Sequence, residues 1–395
     1  MARLRIVLLA VIALGLAGYA LAQLKRSKPA EPAVGSVCRR RAAEERRTCY
    51  QRVLTGHLEK YGVADAVATL DSFAVADSEV AVHAHEYAHG IGRLAYNVAP
   101  DIATTFVACG DRAASGCRHG FMQAYLESRQ RVTAREVQQF CKPLENQQYT
   151  RWLLSQCLHG LGHGLTMFRD HDAPRALRDC ELLTSEWQRQ SCYAGVFMES
   201  FVNATKPHEM PAGESHHHAA AFRAVDSTDL LYPCSIMAQR YLYACYQMQT
   251  TVMLYLNGGD VGAASRECDR APATMHEACY ESLGRDVTTY ASQDPRRAAQ
   301  LCAQGSAPSR GTCFGSAARS LVNWDGRLDG ALELCRVVAN SAADSTAARA
   351  CYWYVGNTIY SLVPTAPERD AACARISETG GRAACLRGAR GAPVS

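Results

Sequence analysis

The chain has thirteen histidines, and all but His57 and His276 fall between positions 83 and 218. Three of them share one local context. The segments YAHGIGRLAY (87–96), CRHGFMQAY (117–125) and CLHGLGHGL (157–165) align on a slot filled by Tyr87, Cys117 and Cys157. His89, His119 and His159 follow two residues later, each before a glycine (Gly90, Gly120, Gly160) that is expected to allow close helix contact. His85 precedes His89 by four positions, and His163 follows His159 by four. Residues at i and i+4 share a helix face, so each pair presents two imidazoles side by side. Imidazole nitrogen is a good ligand for zinc and copper, so the chemistry these residues suggest is to hold a divalent metal.

His85-Glu86-Tyr87-Ala88-His89 spells H-E-x-x-H and resembles the metal-binding helix of zinc peptidases. That resemblance implies metal ligation by His85 and His89. It also implies Glu86 as general base, taking a proton from metal-bound water whose pKa falls toward 7. The longer form of the motif stops at Gly92, because Ala95 stands where a third histidine belongs. A third ligand is therefore expected from His119, His159 or His163, and all five histidines are expected to meet at one site. Glu199 lies one turn past Ala194, the first unit without a histidine in this slot, and is a further carboxylate candidate. His208, Glu209, Glu214 and the run His216-His217-His218 read as a polar loop that either loads metal or is simply solvated.

Positioning such a set requires a repeating scaffold, and the eighteen cysteines supply its register. They fall into nine neighbouring pairs: Cys38/Cys49, Cys109/Cys117, Cys141/Cys157, Cys180/Cys192, Cys234/Cys245, Cys268/Cys279, Cys302/Cys313, Cys335/Cys351 and Cys373/Cys385. Most second cysteines recur every 34 to 40 residues, the length of a two-helix hairpin. The array resembles tetratricopeptide-like solenoids in period. The double gap between Cys49 and Cys117 implies a cysteine-free unit near residues 60–100, with Tyr87 in the cysteine slot. Proline at turns such as Pro272 separates the two helices of a unit. The expected fold is all-α: a disulfide-stapled solenoid of about ten two-helix units. Neighbour pairing closes short loops, each contributing roughly 3 kcal/mol in the chain-entropy model.

The boundaries follow. Residues 1–26 carry Arg3 and Arg5, an apolar run from Ile6 to Ala22 and an Ala20-Leu21-Ala22 end, reading as a signal peptide or an uncleaved N-terminal anchor. Residues 27–36 are a linker, 37–202 the histidine-bearing repeats, 203–221 a His-rich insert and 222–395 the C-terminal repeats. This many paired cysteines fit an exported protein, periplasmic, secreted or outward-facing, with membrane contact only through the N-terminal segment. A formal net charge of +4 without basic–aromatic patches excludes nucleic acid as an expected partner.

Three functions fit these residues. One is a zinc-type hydrolase. Another is a copper- or zinc-binding oxidase or carrier. The third is a non-enzymatic scaffold whose repeat face binds a protein or glycan. Zinc is favoured over copper as the metal.

Overall fold

Helices begin where a side-chain oxygen can cap them. Asp101, Asp172, Asp260 and Asp294 each accept a hydrogen bond from the backbone N–H three residues on, and Thr133 with Glu136 forms a reciprocal capping box. Pro174 and Pro295 sit in the first turns that follow two of these caps, where a missing N–H costs nothing.

The computed structural model describes residues 37–110, 113–129, 131–146, 149–205, 222–341 and 345–393. The N-terminal segment 1–26, the linker and the insert histidines His208 and His216–His218 lie outside the described residues. In the first half the helices are α1 (Ala43–Tyr61), α2 (Val63–Ala76), α3 (Ser78–Val82), α4 (Ala84–Val98), α5 (Ile102–Cys109), α6 (Gly116–Glu127), α7 (Ala134–Phe140), α8 (Arg151–Phe168), α9 (Ala173–Cys180) and α10 (Glu186–Thr205). The second half holds α11 (Gln239–Tyr246), α12 (Thr250–Leu256), α13 (Val261–Arg270), α14 (His276–Tyr290) and α15 (Pro295–Cys302). It continues with α16 (Arg310–Asp325), α17 (Asp329–Asn340), α18 (Ser345–Leu362), α19 (Ala366–Ala374) and α20 (Thr379–Gly388). No strand occurs among the described residues, and none of their helices is long and apolar enough to cross a membrane.

All nine neighbour pairs are closed as disulfides, with Cα–Cα separations between 5.5 and 5.9 Å. Each ties the end of one helix or turn to the first two turns of the next, and every cysteine is buried. Nine such bridges mark a chain built for an oxidising compartment. The cysteine-free unit is present as α2 to α4, with Tyr87 only 4 % exposed in the cysteine slot.

The bridges also expose a longer period. Cys38–Cys49 and Cys234–Cys245 each span 11 positions, Cys141–Cys157 and Cys335–Cys351 each span 16, and Cys180–Cys192 and Cys373–Cys385 each span 12. In this register Tyr87 corresponds to Cys279 and Cys117 to Cys313, so the second half follows the order of the first, although Cys109–Cys117 spans 8 positions and Cys302–Cys313 spans 11. The counterpart helices α8 and α18 touch, which folds the halves together.

Within each half, alternate second helices pack backbone to backbone. A Cβ at Gly92 would stand 1.8 Å from the carbonyl oxygen of Cys117, and one at Gly120 would stand 1.9 Å from that of His89. Gly162 and Gly195 make the same reciprocal contact between α8 and α10, as do Gly356 and Gly388 between α18 and α20. Only glycine permits this approach. Among the glycines following the histidines, Gly120 serves as expected. Gly160 meets only side chains, the nearest 3.3 Å away, and Gly90 faces open space.

Candidate metal centre

The close pairing of α4 with α6 and of α8 with α10, with α6 against α8, brings the repeat-slot histidines and their i±4 partners side by side. From one end the order is His89, His85, His119, His163, His159. Successive ring centroids are 6.2, 5.6, 4.5 and 4.9 Å apart. The five histidines singled out by spacing are therefore neighbours in a bent row drawn from three helices, His119 and His159 being 6.3 Å apart across the bend at His163, and do not meet at one point as expected.

Two rings of the row are oriented through Nδ1. His85 Nδ1 lies 3.0 Å from the carbonyl oxygen of Ala113, and His163 Nδ1 lies 2.9 Å from Glu199 Oε2. A histidine held by a carbonyl or carboxylate at one nitrogen offers the other as a lone pair, the usual outer support of a metal ligand. Glu199 is 2 % exposed and reaches α8 from α10. Beyond it, His171 Nδ1 stands 3.9 Å from Glu199 Oε1, on a residue held at φ +59° just after α8. A non-glycine residue in the left-handed region is uncommon and directs attention to its surroundings.

His163 Nε2 and His159 Nε2 are 3.1 Å apart. Two imidazoles on one zinc ion, with bonds of about 2.0–2.1 Å, place their nitrogens roughly 3.3 Å apart at a tetrahedral angle and about 2.9 Å apart at a right angle. The observed spacing falls between these. Tautomers sharpen the point. With its Nδ1 hydrogen committed to Glu199, the singly protonated His163 ring would turn a lone pair toward His159. The backbone carbonyl of Ser191 accepts from the His159 ring. If that bond takes the N–H of His159, two lone pairs face each other and a cation between them relieves the repulsion. If His159 instead donates to His163, the pair is an ordinary hydrogen bond.

Burial first, then the neighbouring imidazoles led by His163, hold His119 well below the usual imidazole range. His159 is likewise lowered, by burial, then by His163 and by the Arg285 guanidinium from the second half. Both rings are therefore neutral at pH 7, the form that ligates metal. Among the described residues, no three His, Cys, Asp or Glu side chains are placed to hold one ion.

Compared with family models, with curated proteins and with solved structures, the chain matches none.

Glu86 does not join the row. It is 44 % exposed, ion-paired with Arg47 of α1, and 3.4 Å from His83 Nδ1. The carboxylate in contact with the row is Glu199. In the second half the equivalent slots hold Glu281, Gly315 and Trp353. Glu281 accepts hydrogen bonds from Tyr243 (3.1 Å), Gln247 (2.8 Å) and Tyr354 (3.1 Å), and Trp353 donates to the carbonyl of Ala392 at 2.8 Å. The same scaffold thus packs without histidine in these positions. Spacing alone did not single out His171, because it sits in a turn with no helical period to mark it.

Proposed function

We propose that this is an exported metal-binding repeat protein whose histidine row holds a divalent transition metal, zinc ahead of copper. The ion is seated at the Nε2 atoms of His159 and His163, with His119 as the adjoining ring. One observation carries this reading: two imidazoles face each other at 3.1 Å through their Nε2 atoms while Glu199 fixes the outer nitrogen of one of them. The second half supports it, since the fold persists there without the histidines. Full-length protein purified from an oxidising compartment without a polyhistidine tag should carry close to one equivalent of metal. His163→Ala should abolish that stoichiometry, and Glu199→Ala should weaken affinity about 10–100-fold. Metal-free protein that also fails to take up zinc or copper on titration would overturn the reading.

A zinc-type hydrolase is the second reading. It is favoured by His159 being less buried than His119 and His163, which leaves an approach to the ion on its side. In that case turnover of a hydrolysable substrate should disappear with His163→Ala and respond to added chelator.

A further inference from the structure

Where α8 of the first half meets α18 of the second, a cleft of about 180 Å³ opens. That is room to seat one small ring, with the cleft half open to solvent. Two indoles, Trp152 and Trp187, supply apolar surface, with Arg151 already lying over Trp187, and two guanidiniums, Arg151 and Arg319, the latter ion-paired with Glu281, supply donors. Ser155, Asn357 and Thr358 add neutral donors and acceptors, and no carboxylate lines the cleft among the described residues.

Both arginines are set in place. Arg151 lies over the Trp187 ring at 4.6 Å, and Arg319 lies over Tyr354 at 4.9 Å with Glu281 3.7 Å away. We propose that this cleft binds a single anionic sugar residue of the uronic acid type. Planar guanidinium forks pair with a carboxylate bidentately. Indole faces cover the apolar side of a ring. The hydroxyl and amide side chains match ligand hydroxyls, each able to donate and accept. Clefts between packed units are where small ligands usually bind. Arg151, Ser155 and His159 follow at i, i+4 and i+8 along α8, so the cleft lies on the helix face that leads to the histidine row. Binding in the cleft does not depend on metal.

The test is titration of chelator-treated full-length protein with glucuronate, glucose and inorganic phosphate, followed by tryptophan fluorescence and calorimetry. Glucuronate should bind saturably, and glucose at least tenfold more weakly. Arg151→Gln and Arg319→Gln should each weaken glucuronate at least tenfold. Arg151 is exposed, so that variant keeps the test decisive even where loss of Arg319 unsettles Glu281. His163→Ala should bind glucuronate as the parent does, which separates this result from the metal reading. Phosphate binding as tight as glucuronate and indifferent to Trp187→Leu would reduce the cleft to a simple oxyanion site and overturn the proposal. Absence of saturable glucuronate binding would overturn it outright.

Discussion

His163 stands between Glu199 and His159, with its Nδ1 2.9 Å from the carboxylate and its Nε2 3.1 Å from the second ring. A glutamate on α10 therefore governs which nitrogen a histidine on α8 can offer. Glu199→Gln should keep the fold, since the amide oxygen can still accept the Nδ1 hydrogen. It should nevertheless lower metal affinity by about tenfold, because a neutral partner makes the ring less basic. Glu86→Gln should leave metal content unchanged, its carboxylate being spent on Arg47. Metal stoichiometry and affinity of the two variants, measured together, decide between the acids.

Acid should destabilise the metal-free protein. His119 and His159 titrate well below their unfolded value of about 6.5, so below that pH the unfolded chain takes up protons that the folded rings refuse. Stability is full above about pH 6.5 and falls as pH drops, by up to roughly 1.4 kcal/mol per pH unit for each ring. Thermal midpoints recorded between pH 7.5 and 5 in the presence of chelator should show this decline. His119→Gln should flatten it. A midpoint independent of pH over that range would contradict the burial of neutral imidazoles.

Two glycines in the same sequence context should respond oppositely to alanine. At Gly120 the new methyl would press on the His89 carbonyl, costing about 1–3 kcal/mol or more as α4 and α6 are forced apart. At Gly90 nothing lies within 4 Å, so alanine should stabilise α4 by roughly 0.5–1 kcal/mol. Denaturant unfolding of the two variants checks the sign of each.

Peptide mapping without reductant should recover Cys268–Cys279 and Cys302–Cys313 as local bridges. Replacing both members of either pair with serine should lower stability by about 3 kcal/mol. A crosslink between different units would contradict the fold.

Much of this was legible in the sequence, because cysteine spacing and helical period report directly on hairpin register. The nine pairings, the cysteine-free unit around Tyr87 and the shared slot of His89, His119 and His159 all came from that register. What spacing cannot report is rotation about a helix axis. Glu86 follows His85 by one residue, about 100° around α4, and so turns toward Arg47 on α1 instead of along the row. The partnership of His163 with Glu199 depends on how α8 and α10 are pressed together by Gly162 and Gly195, a contact between units 36 positions apart along the chain. The doubling of the array is written in the spans of 11, 16 and 12, but the unit that lost its cysteines hides it.

Each bridge begins and ends inside a single unit, so no covalent tie other than the peptide chain joins one unit to the next. The array behaves as links on a string and not as a net. One peptide cleavage between units leaves two pieces held only by packed surfaces, separable by denaturant without any reductant. A cut inside a stapled loop leaves the pieces joined until the sulfurs are reduced. Whether a nick separates the chain should therefore alternate along its length with the period of the hairpins.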